Sequence, residues 1–230
     1  YASVRYRRDS YTIDLRYNGY SRQLSGSSIT PNLDISDPTR ITAGNIYLRP
    51  GFDHNLSMYY NTSNREKFSY FRISMYTQLS NDMTVHASWF DNSGIRYAVP
   101  VNSKKPQVSS SLYVSYGTPV DKERMFTFNT WASVGYSSST SYQSLTMHES
   151  LDLDNFDYMQ FMSRFWGNDD GNIFYNGQSG FAESSTRTLN WRVEASLKYN
   201  GEKFDVVSIA VWERQPVEVT IETAEKLGMT

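Results

Sequence analysis

Residues 190–200 read NWRVEASLKYN. Trp191, Val193, Ala195, Leu197 and Tyr199 take one set of alternate positions, and Asn190, Arg192, Glu194, Ser196 and Lys198 take the other. Successive side chains of a strand point to opposite faces, so this stretch is a β-strand with one apolar face and one charged face. The same reading extends outward along the chain. Tyr11, Ile13, Leu15 and Tyr17 stand against Thr12, Asp14, Arg16 and Asn18. Phe71, Ile73, Met75 and Leu79 stand against Arg72, Ser74, Tyr76 and Gln78. Phe126, Phe128, Ala132, Val134 and Tyr136 stand against Thr127, Asn129 and Ser133, and Ala2, Val4 and Tyr6 against Ser3, Arg5 and Arg7.

Strands are expected near residues 1–8, 11–24, 53–62, 67–90, 95–116, 124–141, 185–200 and 203–214. Their connections alternate in length. Asp9-Ser10, Asn64 to Lys67, Thr118 to Arg124 and Asn200-Gly201-Glu202 are short. Residues 25–52 and 142–184 are long loops, and Asp91-Asn92-Ser93-Gly94 is a hairpin at the tip of two long strands. Short turns on one side and long loops on the other are the habit of outer-membrane barrels. The expected fold is therefore all-β: an antiparallel up-and-down transmembrane β-barrel segment of about eight strands with long extracellular loops. Residues 1–214 make up that barrel segment, and the tail 215–230 fits it poorly because Pro216 would interrupt a ladder. SNDM (80–83) interrupts the alternation and reads as a bulge or as a strand leaving the hydrocarbon. The loop segment LDLDNFDYMQFMSRFW (151–166) predicts a short helix capped by Asp152 or Asp154, with Phe156, Tyr158, Met159, Met162 and Phe165 packed together.

Composition agrees with this picture and narrows the function. The 230 residues hold 18 Tyr, 12 Phe and 5 Trp, side chains suited to strands and to membrane rims. Cysteine is absent, which excludes disulfides, thiolate metal sites and cysteine nucleophiles. The formal charge of −2 offers no case for nucleic acid. No run of about 18 apolar residues marks a transmembrane helix. The opening YASVRYRRDS enters a strand at once, without an initiator Met or a signal pattern, and is expected to be a cut from a longer chain.

Three stretches carry a family resemblance. They are SGSSITPNLDISDPTRITAGNIYLRPGFDHNLSMYYN (25–61), WFDNSGIRYAVPVN (89–102) and SLYVSYGTPVDKERMFTFNT (111–130). In order and spacing they resemble elements of Bacteroidetes TonB-dependent outer-membrane receptors. The first departs from the family pattern at Asp37 and Ile46. The resemblance implies a parent of about 22 strands with a plugged lumen. It implies nutrient uptake driven through TonB, of a glycan or a chelate. The implied partners are outer-membrane lipid, TonB through a plug region outside this chain, a surface substrate-binding lipoprotein, and a small-molecule or glycan substrate. The alternatives are an outer-membrane adhesin or a secreted carbohydrate-binding β-sandwich, and more remotely a glycoside-cleaving β-protein.

No catalytic motif stands out, and the chain is not expected to be an enzyme or to hold a cofactor. His54, His86 and His148 lack a paired metal-ligand spacing and read as ordinary polar residues. Asn168 to Asn172 reads as a turn instead of a calcium loop, and Asp152, Asp154 and Asp157 as a helix start. The aromatics of the long loop are the expected ligand contacts: Tyr158, Phe161, Phe165, Trp166, Phe174 and Tyr175. Their rings could stack on a flat ligand or a sugar face, or could pack the loop onto the barrel mouth.

Overall fold

The computed structural model describes residues 1–144, 149–163, 181–201 and 205–222. The alternating stretches form strands as their pattern dictates. In chain order the elements are β1 (Ala2–Arg8), β2 (Tyr11–Arg22), α1 (Gly26–Ile29), β3 (Leu33–Asp37), β4 (Arg40–Ala43), β5 (Gly51–Asn64), β6 (Ser69–Asn81) and β7 (Thr84–Phe90). They continue with β8 (Arg96–Asn102), β9 (Gln107–Pro119), β10 (Phe126–Ser144), α2 (Tyr158–Ser163), β11 (Phe181–Asn200), β12 (Asp205–Arg214) and β13 (Val217–Glu222). Among the described residues the thirteen strands belong to one sheet, which is not closed. Neither helix is long and apolar enough to cross a membrane.

The sheet has two parts. A wall runs antiparallel through β1-β2-β5-β6-β9-β10-β11 to β12 and β13. Its register aligns one apolar row across the strands: Val4, Leu15, Met58, Met75, Leu112, Val134 and Trp191. A neighbouring row is Tyr6, Ile13, Tyr60, Ile73, Val114, Ala132, Val193 and Trp212. The opposite face carries Arg5, Asp14, Tyr59, Ser74, Tyr113, Ser133, Arg192 and Glu213 in register. β12 adds Val207, Ile209 and Val211 to that polar face, opposite Lys198, Ser196 and Glu194.

The second part is a cap at one end of the wall. There β10 outruns β9, and its Tyr142 and Gln143 pair in parallel with Ala87 and Ser88 of β7. The order then continues β7-β8-β4-β3, with β8 and β4 again parallel. The buried core of the described residues lies here: Ile41, Ala43, Val85, Ala87, Trp89, Tyr97, Val99, Val101, Tyr142, Phe161 and Met162. The Trp89 and Tyr97 rings stack 4.0 Å apart at 16°. The wall has no such covering. Val4 is 67% exposed, Val134 44% and Trp191 38%. A soluble sandwich would bury that row under a second sheet.

Several expectations need correcting. Among the described residues the strands number thirteen in place of about eight, and two joins are parallel, because the loops contain strands of their own. The expected strand 67–90 turns a corner at Asp82, whose φ of 49° is the left-handed conformation an Asp tolerates. β6 ends on one side of that corner and β7 leaves for the cap. The stretch 95–116 divides likewise into β8 and β9 around residues 103–106. The loop 25–52 holds α1, β3 and β4. Pro216 does interrupt the ladder, as β12 ends at Arg214 and β13 begins at Val217, but the chain resumes beyond it. β13 continues the register of β12 against β11, Arg214 facing Trp191 and Val217 facing Thr188. Pro216 still accepts a bond from Leu189 N at 3.3 Å, but it has no N–H to return, so only that rung is weakened.

All connections except one sort by end. Registers place Arg8/Tyr11, Asn64/Ser69 and Pro119/Thr127 at one end, each closed by a short turn, and Asn200/Asp205 at the same end, with 202–204 outside the described residues. Arg22/Gly51, Ser80/Gln107 and Ser144/Phe181 lie at the other, where the chain makes its long excursions. The step from β12 to β13 is no reversal at all. Side chains hold the short turns: Asn64 Oδ1 accepts from Glu66 N and Lys67 N, both at 2.9 Å. Asp121 accepts from Phe126 N at 2.7 Å and Met125 N at 3.0 Å, bonds that keep its carboxyl below the ordinary Asp range.

Candidate functional site

The polar face of the wall is organised by ion pairs. Asp14 on β2 receives Arg5 Nη2 from β1 at 2.6 Å and Arg16 Nη2 from its own strand at 2.7 Å. Alternation puts all three on one face, and antiparallel register sets Arg5 opposite Asp14. Near the capped end, Arg22 grips the buried Asp53 through two nitrogens, at 2.7 Å for the shortest contact. On β11, Arg192 reaches Glu194 at 3.3 Å and Glu213 of β12 at 3.5 Å, with its guanidinium 5.3 Å from the Trp131 ring. Charges placed this way can hold a partner surface or a polar solute, and they do not suit lipid.

Beside Asp14 and Arg16 is a cavity of about 430 Å³ lined also by Tyr59, Tyr76 and Tyr113. The three tyrosines come from β5, β6 and β9 and stand on the polar face. The Tyr76 hydroxyl donates to Asn55 Oδ1 at 2.7 Å. Sequence reading recognised these positions as strand residues and missed them as a group. Only the register of three strands brings them together.

The two described loop candidates occupy the cap. Phe161 is 1% exposed and packs near Trp89, Tyr97 and Phe156. Tyr158 donates its hydroxyl to Gly44 O at 2.9 Å and accepts from Ile46 N at 3.3 Å. Both side chains seat α2 on the cap. Phe165, Trp166, Phe174 and Tyr175 lie outside the described residues. The helix cap is Asp157, not Asp152 or Asp154: its Oδ1 accepts from Met159 N at 2.8 Å and Gln160 N at 3.3 Å. Asp152 instead holds the preceding turn, with Asp154 N at 3.0 Å. Met159 is 52% exposed and turns away from the cluster expected for it.

The histidines stand apart. His54 on β5 lies between Tyr17, whose hydroxyl is 2.8 Å from Nδ1, and Asn81. His86 is on β7, and His148 lies outside the described residues. Among the described residues no group of three or more His, Cys, Asp or Glu could hold a metal ion.

Comparison with known proteins gives one finding. No curated protein and no solved structure matches the chain. The sequence does match the profile of the outer membrane protein beta-barrel family, over residues 1–207. An uncovered apolar face, a charged opposite face and sorted connections are what such a barrel requires. The chain belongs to the outer membrane protein beta-barrel family and resides in the outer membrane.

Proposed function

We propose that this chain is part of the up-and-down wall of a larger receptor that imports a nutrient of the glycan or chelate class in a TonB-dependent manner. The observation that carries the reading is the polar face, with its row of ion pairs and its tyrosine-lined cavity. A lumen that seats a plug and passes a solute has use for both. The capped end then faces the cell exterior, and the short turns face the periplasm. The plug, the contact with TonB and a surface lipoprotein partner belong to this proposal, as does the assignment of no chemical step to the chain.

Uptake of the limiting nutrient by cells carrying the full-length parent tests this. Uptake should stop when TonB is deleted and should return with it. Equal uptake in both strains would reject the reading. The second reading, an adhesin, draws on the structured cap at one end of the wall. It predicts attachment to a surface that removal of TonB leaves untouched.

A further inference from the structure

We infer that the cap holds a pit for the acid group of an acidic sugar, on the face continuous with the polar face of the wall. The substrate class rests on the transport reading above; the pit rests on register. Ser88 pairs with Gln143, and Gln143 continues the polar face of β10. On that side the cap strands present Arg96 opposite Arg40, then Ser88, Ala98, Thr42 and Asp34 in one row, then His86 opposite Pro100. The large core side chains Trp89, Tyr97 and Val99 all point the other way. Small residues in the middle leave a cavity of about 260 Å³, lined by Ser27, Asn32, Asp34, Arg40, Thr42 and His86, with Arg96 next to Arg40 but outside the lining.

Its electrostatics call for an anion. Like charges directly opposite on neighbouring strands destabilise a sheet, yet Arg40 and Arg96 are paired this way. Neither forms an ion pair among the described residues. Of the nearby carboxylates, Asp37 stands opposite Arg40 and feels its charge while its Oδ1 accepts from Thr39 N at 2.9 Å, and Asp34 Oδ1 accepts from Ser36 N at 3.0 Å, which leaves Arg96 without a carboxylate opposite it. Arg96 Nη2 donates instead to Ser88 Oγ at 3.3 Å, which brings its charge over the cap face. Burial, helped by the charges of Arg40 and Arg96, holds the His86 imidazole below the ordinary His value. An oxyanion in the pit would find Arg40 and His86 as donors, with the charge of Arg96 beside them, and would relieve the repulsion between the arginines.

Asp34 decides what the rest of the ligand is. Its carboxylate would repel a bare oxyanion but would accept from a hydroxyl. Ser27, Asn32 and Thr42 beside it offer further hydrogen-bonding groups. A sugar ring with a carboxylate at one end and hydroxyls at the other matches both sides, and the space suits a single ring. The site is also shaped from behind. A Cβ on Gly44 would stand 2.2 Å from the Thr30 carbonyl oxygen, so glycine lets the α1 segment close down at the edge of the pit.

Calorimetric titration of the full-length parent in detergent micelles tests the pit, with glucuronate, glucose and acetate as probes. Glucuronate should bind about tenfold or more tightly than either of the others. Arg40→Gln and Arg96→Gln should each weaken glucuronate by about tenfold with an unchanged heat-modifiable barrel band. Asp34→Asn should weaken glucuronate and tighten acetate, a readout that does not depend on either arginine variant folding. Glucuronate binding that ignores all three substitutions, acetate binding equal to glucuronate, or no glucuronate binding would overturn the inference. None of these measurements involves TonB, so failed energy coupling would reject the transport reading and leave the binding result standing.

Discussion

Asp91 is fully buried at the tip of the β7–β8 hairpin, and its carboxylate is nevertheless satisfied. Oδ1 accepts from Ser93 N and Ile95 N, both at 2.9 Å, and Oδ2 accepts from the Tyr97 hydroxyl at 3.2 Å. Gly94, at φ 83°, closes the turn by donating to Asp91 O at 3.0 Å. Burial alone would raise the carboxyl pKa. The bonds from Ile95, Ser150, Ser93 and Tyr97 outweigh it, and the group sits below the ordinary Asp range. A carboxyl lowered by folding stabilises the fold above its unfolded pKa and loses that contribution as pH falls through its folded value. The cap should therefore hold at neutral pH and loosen only in acid, below the ordinary Asp range. Asp91→Ala should cost about 2–3 kcal/mol, since buried N–H groups lose their acceptor. Hydrogen exchange at the Ser93 and Ile95 amides should accelerate accordingly, while the wall amides stay protected. Asp91→Asn should lack the acid-dependent loosening.

Among the elements, β11 gives the sharpest test of the two faces. Val193 lies between Ala132 and Trp212 on the apolar side, and Glu194 between Trp131 and Val211 on the other. Arginine on a lipid face costs about 2–4 kcal/mol near the membrane midplane. Val193→Arg should reduce the heat-modifiable barrel band on a gel, and Glu194→Gln should leave it near wild type. An equal loss from both would mean that neither face meets lipid. The wall strands were legible in the sequence because only a two-residue period separates lipid from water along them. The cap strands were not, and parity explains why. Ile73, Met75 and Leu79 face lipid from β6, and Val85, Ala87 and Trp89 face the cap core from β7. All are odd-numbered, so the parity carries across the corner at Asp82, and the interruption at SNDM, with Asn81 on the odd side, is too brief to mark a change of sheet. The arginine–aspartate pairs were partly legible, as charges on one face. The tyrosine cavity and the cationic pit were not, because they join residues from strands far apart in sequence.

For the whole molecule, sidedness is the accessible quantity. Protease added to intact cells should cut within the excursions 25–52 and 142–184 and spare the short turns. Cleavage at Asp121-Lys122 under these conditions would reverse the orientation. Within 25–52 cutting should be slow, since α1, β3 and β4 order that stretch and Asn45 Nδ2 ties it to Pro100 O at 3.0 Å.

The cap also bears on how the wall finds its alignment. A strand that slips by two residues keeps every apolar side chain toward lipid, so the membrane cannot detect the error. Such a slip would nevertheless displace whatever the strand carries at its end by about 7 Å. The β7–β8 hairpin hangs between β6 and β9, and it must meet β4 from one excursion and β10 from another. A wall misaligned by one pleat would bring Ile41, Tyr97 and Tyr142 to the wrong neighbours and leave the core unassembled. The three-way joint thus proofreads a spacing to which the bilayer is blind.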